Sequence, residues 1–107
     1  MTDRELLELA AQAVGFTDAV WAAEQASICT VQAKKGFRPF WNPLTDDGDA
    51  LRLAVRLRLK IMCRTHSVEV LSEDGKVRCL EMHYQDPYAA TRRAIVRAAA
   101  EIGRQMK

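Results

Sequence analysis

The sequence predicts an α+β fold: a three-layer α/β/α sandwich in which a small, mainly antiparallel sheet is flanked by three helices. Three observations carry this. Three segments repeat apolar residues at steps of three and four, two later segments alternate apolar and polar residues, and an Asp-Gly pair joins those two. Alternating strands have apolar rows that helices must cover, which makes layers. At 107 residues the chain is long enough for one core and too short for two, so a single domain over 1–107 is expected.

The first helix is read over residues 2–14. Thr2 and Glu5 have the spacing of a capping box, Leu6, Leu9, Ala10 and Ala13 share a face, and Gly15 supplies the stop. From 16 to 40 the pattern is weak. Residues 28–31 fit a short strand, 19–26 a helical turn, and Lys34, Lys35 and Gly36 a loop.

The densest stretch, residues 40–59, reads FWNPLTDDGDALRLAVRLRL. Pro43 fixes its own φ and pushes Asn42 out of the helical region, so the chain bends here. Thr45 or Asp46 then caps a helix, and Asp46, Asp47 and Asp49 lie against the positive end of its dipole. From Ala50 the apolar residues Ala50, Leu53, Ala54 and Leu57 form the buried face, with Asp49, Arg52 and Arg56 on the wet one. Phe40 or Trp41 is placed to pack on the first turn.

Residues 60–63 are read as extended. Val68 and Val70 alternate with polar neighbours, Glu73-Asp74-Gly75 supplies a turn, and residues 77–84 alternate again, which makes a β-hairpin. Asp86 and Pro87 cap and start the last helix, whose stripe is Tyr88, Ile95, Ala99, Ile102 and Met106.

Composition narrows the function classes. Hydrophobic content of 49% beside 28% charged residues excludes a disordered chain, and a net charge of +2 is too mild to demand an anionic partner. No run approaches the ~18 apolar residues of a membrane span, and the N-terminus lacks the basic flank and apolar core of a signal peptide. No membrane association and a cytoplasmic location are therefore expected. Cys29, Cys63 and Cys79 are odd in number and form no CxxC pair, so reduced, mostly buried thiols are expected.

The runs WNPLTDDGDALRLAV at 41–55 and ATRRAIVRAAAEIG at 90–103 resemble the phage ABA sandwich domain family. The resemblance covers the middle and end of the chain. It implies a helix–sheet–helix sandwich, a phage or prophage origin and hence the bacterial host cytoplasm, and it implies no particular activity. Residues 16–36, the cysteines and the histidines lie outside it.

Chemistry-bearing clusters each have a plainer reading. Cys63, His66, Cys79 and His83 have zinc-like spacing, but on a strand Cys79 and His83 stand about 13 Å apart, whereas ligands of one zinc lie within about 4 Å of each other. The acids at 46–49 lack the spaced ligands of a calcium loop, and capping accounts for them. No phosphate loop, nucleophile elbow or catalytic triad is present, so no metal, no cofactor and no catalytic residue is expected. Two binding readings remain. The first is a non-enzymatic interaction module of unknown protein partner, for which Trp21, Phe37, Phe40 and Trp41 are a candidate anchor patch and Trp41, Asn42, Asp46 and Asp47 candidate contacts. These aromatics equally suit closing the core under that loop. The second is nucleic-acid binding by the basic sector Arg92, Arg93, Arg97 and Arg104 of the last helix, against a solvated face with Arg97–Glu101 and Glu101–Arg104 pairs.

Overall fold

The computed structural model describes residues 1–33, 39–83 and 85–106. The expected loop at Lys34-Lys35-Gly36, the aromatic Phe37 and the last residue of the expected strand, Tyr84, lie outside the described residues. Helix α1 is Asp3–Ala13, and Thr2 caps it in the expected capping box. Strands β1 (Val20–Ala22), β2 (Ser27–Cys29) and β3 (Phe40–Trp41) follow, then helix α2 (Asp47–Arg56). Strands β4 (Lys60–Cys63), β5 (Ser67–Leu71) and β6 (Arg78–Met82) lead to helix α3 (Pro87–Gln105).

The described residues form an α+β fold, with three α-helices and antiparallel strands. Where the sequence predicts one sheet, the strands form two of three strands each, in the orders β1-β2-β3 and β4-β5-β6. The first arises in the stretch where no pattern stood out. The expected helical turn over 19–26 is instead β1 plus a 3-10 turn at Ala23–Gln25, and the expected strand over 28–31 begins and ends earlier, at Ser27 and Cys29. Strands of two or three residues are too short to display an alternation. The chain reverses between β1 and β2 at Ala26, whose φ of 48° is left-handed.

α1 supports the first sheet through β1 and β2, while α3 supports the second through β5 and β6 and also packs on α1 and α2. α3 is therefore covered on most sides, and Ala94, Val96, Ala98, Ala99 and Ala100 are all buried. Alanine permits this by keeping the helix thin. At the α1–α3 crossing the contact is closer still: a methyl on Gly103 would overlap the Leu9 carbonyl, with the Leu9 carbon at 2.9 Å. One apolar core results, running from Leu6 and Leu7 through Ile28, Trp41 and Leu53 to Val68, Val70 and Ile95.

The turn before α2 is buried. Trp41 is 3% exposed and meets Phe16 edge to face, with ring centroids 5.3 Å apart. Asn42 organises the bend: its side chain donates to the Ala26 carbonyl at 2.9 Å and accepts from the Leu44 N–H at 3.0 Å. Asp46 is the helix cap, accepting from the Asp49 N–H at 2.8 Å.

Asp49 corrects the expectation of a wet-face dipole partner. It is fully buried, accepts the Asn42 backbone N–H at 2.9 Å and pairs with Arg52 at 2.9 Å. α2 ends in a Schellman motif, with Leu59 N–H on the Ala54 carbonyl and Arg58 N–H on that of Val55. Arg58 occupies the left-handed position at φ 56°, where glycine is the usual residue. That reversal turns the chain straight into β4.

Candidate docking cleft

β5 and β6 are covered by α3 on one face, but the β4 column of that face is not. Across the sheet Ile61 pairs with Val70 and Val70 with Cys79, while Cys63 pairs with Val68 and Val68 with Glu81. Val68, Val70 and Cys79 are buried; Ile61 and Cys63 are exposed. The gap is a cleft of about 520 Å³ whose floor is Ile61 and Cys63. One wall is α2, with Ala50 and Leu51, and the other is the start of α3, with Tyr88, Thr91 and Ile95.

The rim carries the polar groups. Arg92 crosses one end, donating to Asp47 at 2.7 Å and to the Leu44 carbonyl at 2.9 Å, which ties α3 to the start of α2. Arg64 and His83 close the other end, with His83 Nε2 3.2 Å from the Arg64 carbonyl. Asp86 caps α3 through the Ala89 N–H at 3.0 Å, and Thr91 Oγ1 donates to the Pro87 carbonyl at 2.7 Å. The interior of the cleft is thus apolar.

The apolar side chains at its mouth face solvent. Leu51 is 61% exposed and Tyr88 70%, with Val55 exposed one turn along α2. The sequence pattern places Tyr88 on the buried stripe of the last helix, and this is corrected: the first turn of α3 packs on the core through Ala90, and Tyr88 faces the cleft. Met106, at the other end of that stripe, is exposed as well. Leu51 and Val55 were legible by a different signal, an i,i+4 apolar pair outside the buried Ala50, Leu53, Ala54 and Leu57 stripe.

The opposite face of the second sheet has rows Lys60–Leu71–Arg78 and Met62–Glu69–Leu80, with Ser67 beside Met82 in the third. Leu80 and Met82 are half-exposed, and no helix packs there among the described residues. Glu69, at the centre, is nonetheless buried because Arg78 and Arg64 lie over it. The Arg78 hydrogen bond holds its carboxyl below the usual range, against the opposing effect of burial.

Of the partner contacts expected from sequence, Trp41 is buried and Asn42 is spent on the bend, while Asp46 serves as cap and Asp47 as the ion partner of Arg92 at the cleft rim. Trp21 is half-buried under Arg4, whose guanidinium carbon lies 5.7 Å from its ring centroid. Trp41 therefore lies in the core and Trp21 packs against it, and the apolar surface of the cleft lies elsewhere.

The expected basic sector is neutralised. Arg92 pairs with Asp47, Arg93 with Asp3 at 3.2 Å, Arg97 with Glu81, and Arg104 with Glu101. Arg97 also donates to the Leu80 carbonyl at 3.1 Å, so it fastens α3 to β6 and is not the intrahelical partner of Glu101. The thiols are not mostly buried as expected: Cys63, on the edge strand, is exposed in the cleft and Cys29 is half-buried, and Cys79 alone of the three is buried, under α3, where burial raises its thiol pKa.

Among the described residues, no three His, Cys, Asp or Glu side chains are grouped to hold a metal, and no helix is long and apolar enough to cross a membrane. No family model matches the chain, and neither the curated proteins nor the solved structures give a match.

Proposed function

We propose that this chain is a phage or prophage accessory protein of the host cytoplasm that acts without catalysis, as an interaction module. Its origin rests on the resemblance at 41–55 and 90–103. The mode of action rests on one observation: exposed Leu51, Tyr88 and Ile61 converge on a single apolar cleft ringed by Asp47, Arg92, Arg64 and His83. A concave apolar centre with a polar rim is the anatomy of a protein-docking site. The residues of a reaction centre are not assembled there. His83, the imidazole of the cleft lining, is turned to the Arg64 carbonyl.

Leu51 and Tyr88 lie outside the core, so Leu51→Asp and Tyr88→Asp keep the fold while placing charge in the cleft. The reading predicts that the complex purified with the wild-type protein is lost with either variant at an unchanged melting temperature. A complex that survives both substitutions refutes the cleft as its seat.

A further inference from the structure

The cleft borders a strand edge with a defined hydrogen-bonding pattern. The Arg64 N–H bonds to the Ser67 carbonyl at 2.8 Å, which makes Arg64 and Ser67 a hydrogen-bonded pair. Antiparallel alternation then directs the backbone groups of Lys60, Met62 and Arg64 toward β5, and those of Ile61 and Cys63 outward. The neighbouring ladder agrees, since His66 and Ser72 bond to His83 and Val77 on the β6 side. All four residues of β4 are exposed, and no hydrogen bond reaches the outer N–H and C=O groups of Ile61 and Cys63 among the described residues.

We propose that β4 is the acceptor edge for an extended segment of a partner protein in which apolar residues alternate with acidic ones. The proposal rests on the cleft as the docking site and specifies how it is filled. A strand added to β4 places every second side chain on the face of Ile61 and Cys63, which is the apolar cleft between Leu51 and Tyr88. The intervening side chains fall on the other face, beside Lys60, Met62 and Arg64. The outward rows there carry three cations, Lys60, Arg64 and Arg78, against one carboxylate, Glu69. Acidic side chains at those positions complete the charge balance.

A second copy of this chain is the less suitable occupant. Two-fold pairing centred on Met62, within the exposed edge, sets Lys60 against Arg64 of the second copy. Directly opposed like charges oppose pairing.

The test uses the full chain and three hexapeptides: glutamate alternating with valine, the same residues in two blocks, and lysine alternating with valine. The expected result is that the alternating glutamate peptide binds at least about tenfold more tightly than the other two. It is also expected to slow exchange of the Ile61 and Cys63 amide hydrogens in the wild-type protein. Ile61→Pro removes an outward N–H while leaving the β5 ladder intact, and Ile61→Ala removes the side chain alone. The proline variant is expected to bind about tenfold more weakly than the alanine one. Equal binding by all three peptides, exchange of the two amides that stays fast, or a free protein already dimerised through β4 overturns the proposal. If Leu51→Asp weakens peptide binding but the two Ile61 variants bind alike, strand addition fails and the cleft stands. If Leu51→Asp changes nothing, the cleft itself fails.

Discussion

The backbone N–H of Asn42 and the carboxylate of Asp49 meet at 2.9 Å inside the protein, joining the bend before α2 to the helix's first turn. Asp49 also receives Arg52, so one buried carboxylate holds both the loop and a surface cation. Replacing it with alanine leaves the half-buried Asn42 N–H without that acceptor and removes the buried end of that ion pair. Asp49→Ala is expected to lower stability by about 3 kcal/mol, and Asp49→Asn, which keeps one acceptor oxygen, by less than half of that. Denaturant midpoints at constant slope measure both.

Gly103 sets two effects of opposite sign against each other. In an exposed helix, alanine in place of glycine gains about 1 kcal/mol. Here the added methyl meets the Leu9 backbone, which cannot swing aside as a side chain can. Overpacking of this kind costs about 3 kcal/mol, so Gly103→Ala is expected to destabilise the fold by about 2 kcal/mol net. Thermal unfolding of the variant decides the sign.

Glu69 makes the stability pH-dependent. Its carboxyl is lowered from the ordinary 4.5, first by the Arg78 hydrogen bond, so the folded state binds that proton more weakly than the unfolded chain. The contribution is therefore fully present above about pH 5 and is lost as the pH falls through the folded pKa. Unfolding free energies measured from pH 6 downward should decline, and the decline should be shallower in Glu69→Gln than in the wild type.

The pairing of the α3 arginines bears on nucleic acid. With Arg93 on Asp3 and Arg104 on Glu101, these side chains already have anionic partners. Retention on mixed-sequence DNA at low salt is expected to be absent, and Arg93→Glu with Arg97→Glu is expected to leave DNA retention unchanged. Retention that falls steeply with salt and is lost in that double variant indicates phosphate binding instead.

How much of this was legible in the sequence depends on whether a signal is local. Thr2 with Glu5, Asp86 with Pro87, and the Glu73-Asp74-Gly75 turn act on their own neighbours, and the structure places a cap or a turn at each. Asp49 shows the limit: in a first helical turn an acid reads as a dipole partner, and only the fold brings the Asn42 N–H to it. The cleft was hidden for a related reason. Tyr88 has the spacing of a core residue, and whether its side of the first turn of α3 meets the core or the cleft is a matter of how the elements are placed, not of periodicity. Likewise the α3 arginines form a basic stripe in sequence, while most of the acids that neutralise them come from α1, α2 and β6.

The most direct test of the docking cleft is site-specific photocrosslinking in cells. A photoreactive side chain is placed at Leu51, and in parallel at Glu24 and Gln105, which are also exposed but do not line the cleft. The cleft reading predicts a discrete adduct from position 51 that disappears with Tyr88→Asp, and none from the other two. Adducts from Glu24 or Gln105 with none from 51 contradict it.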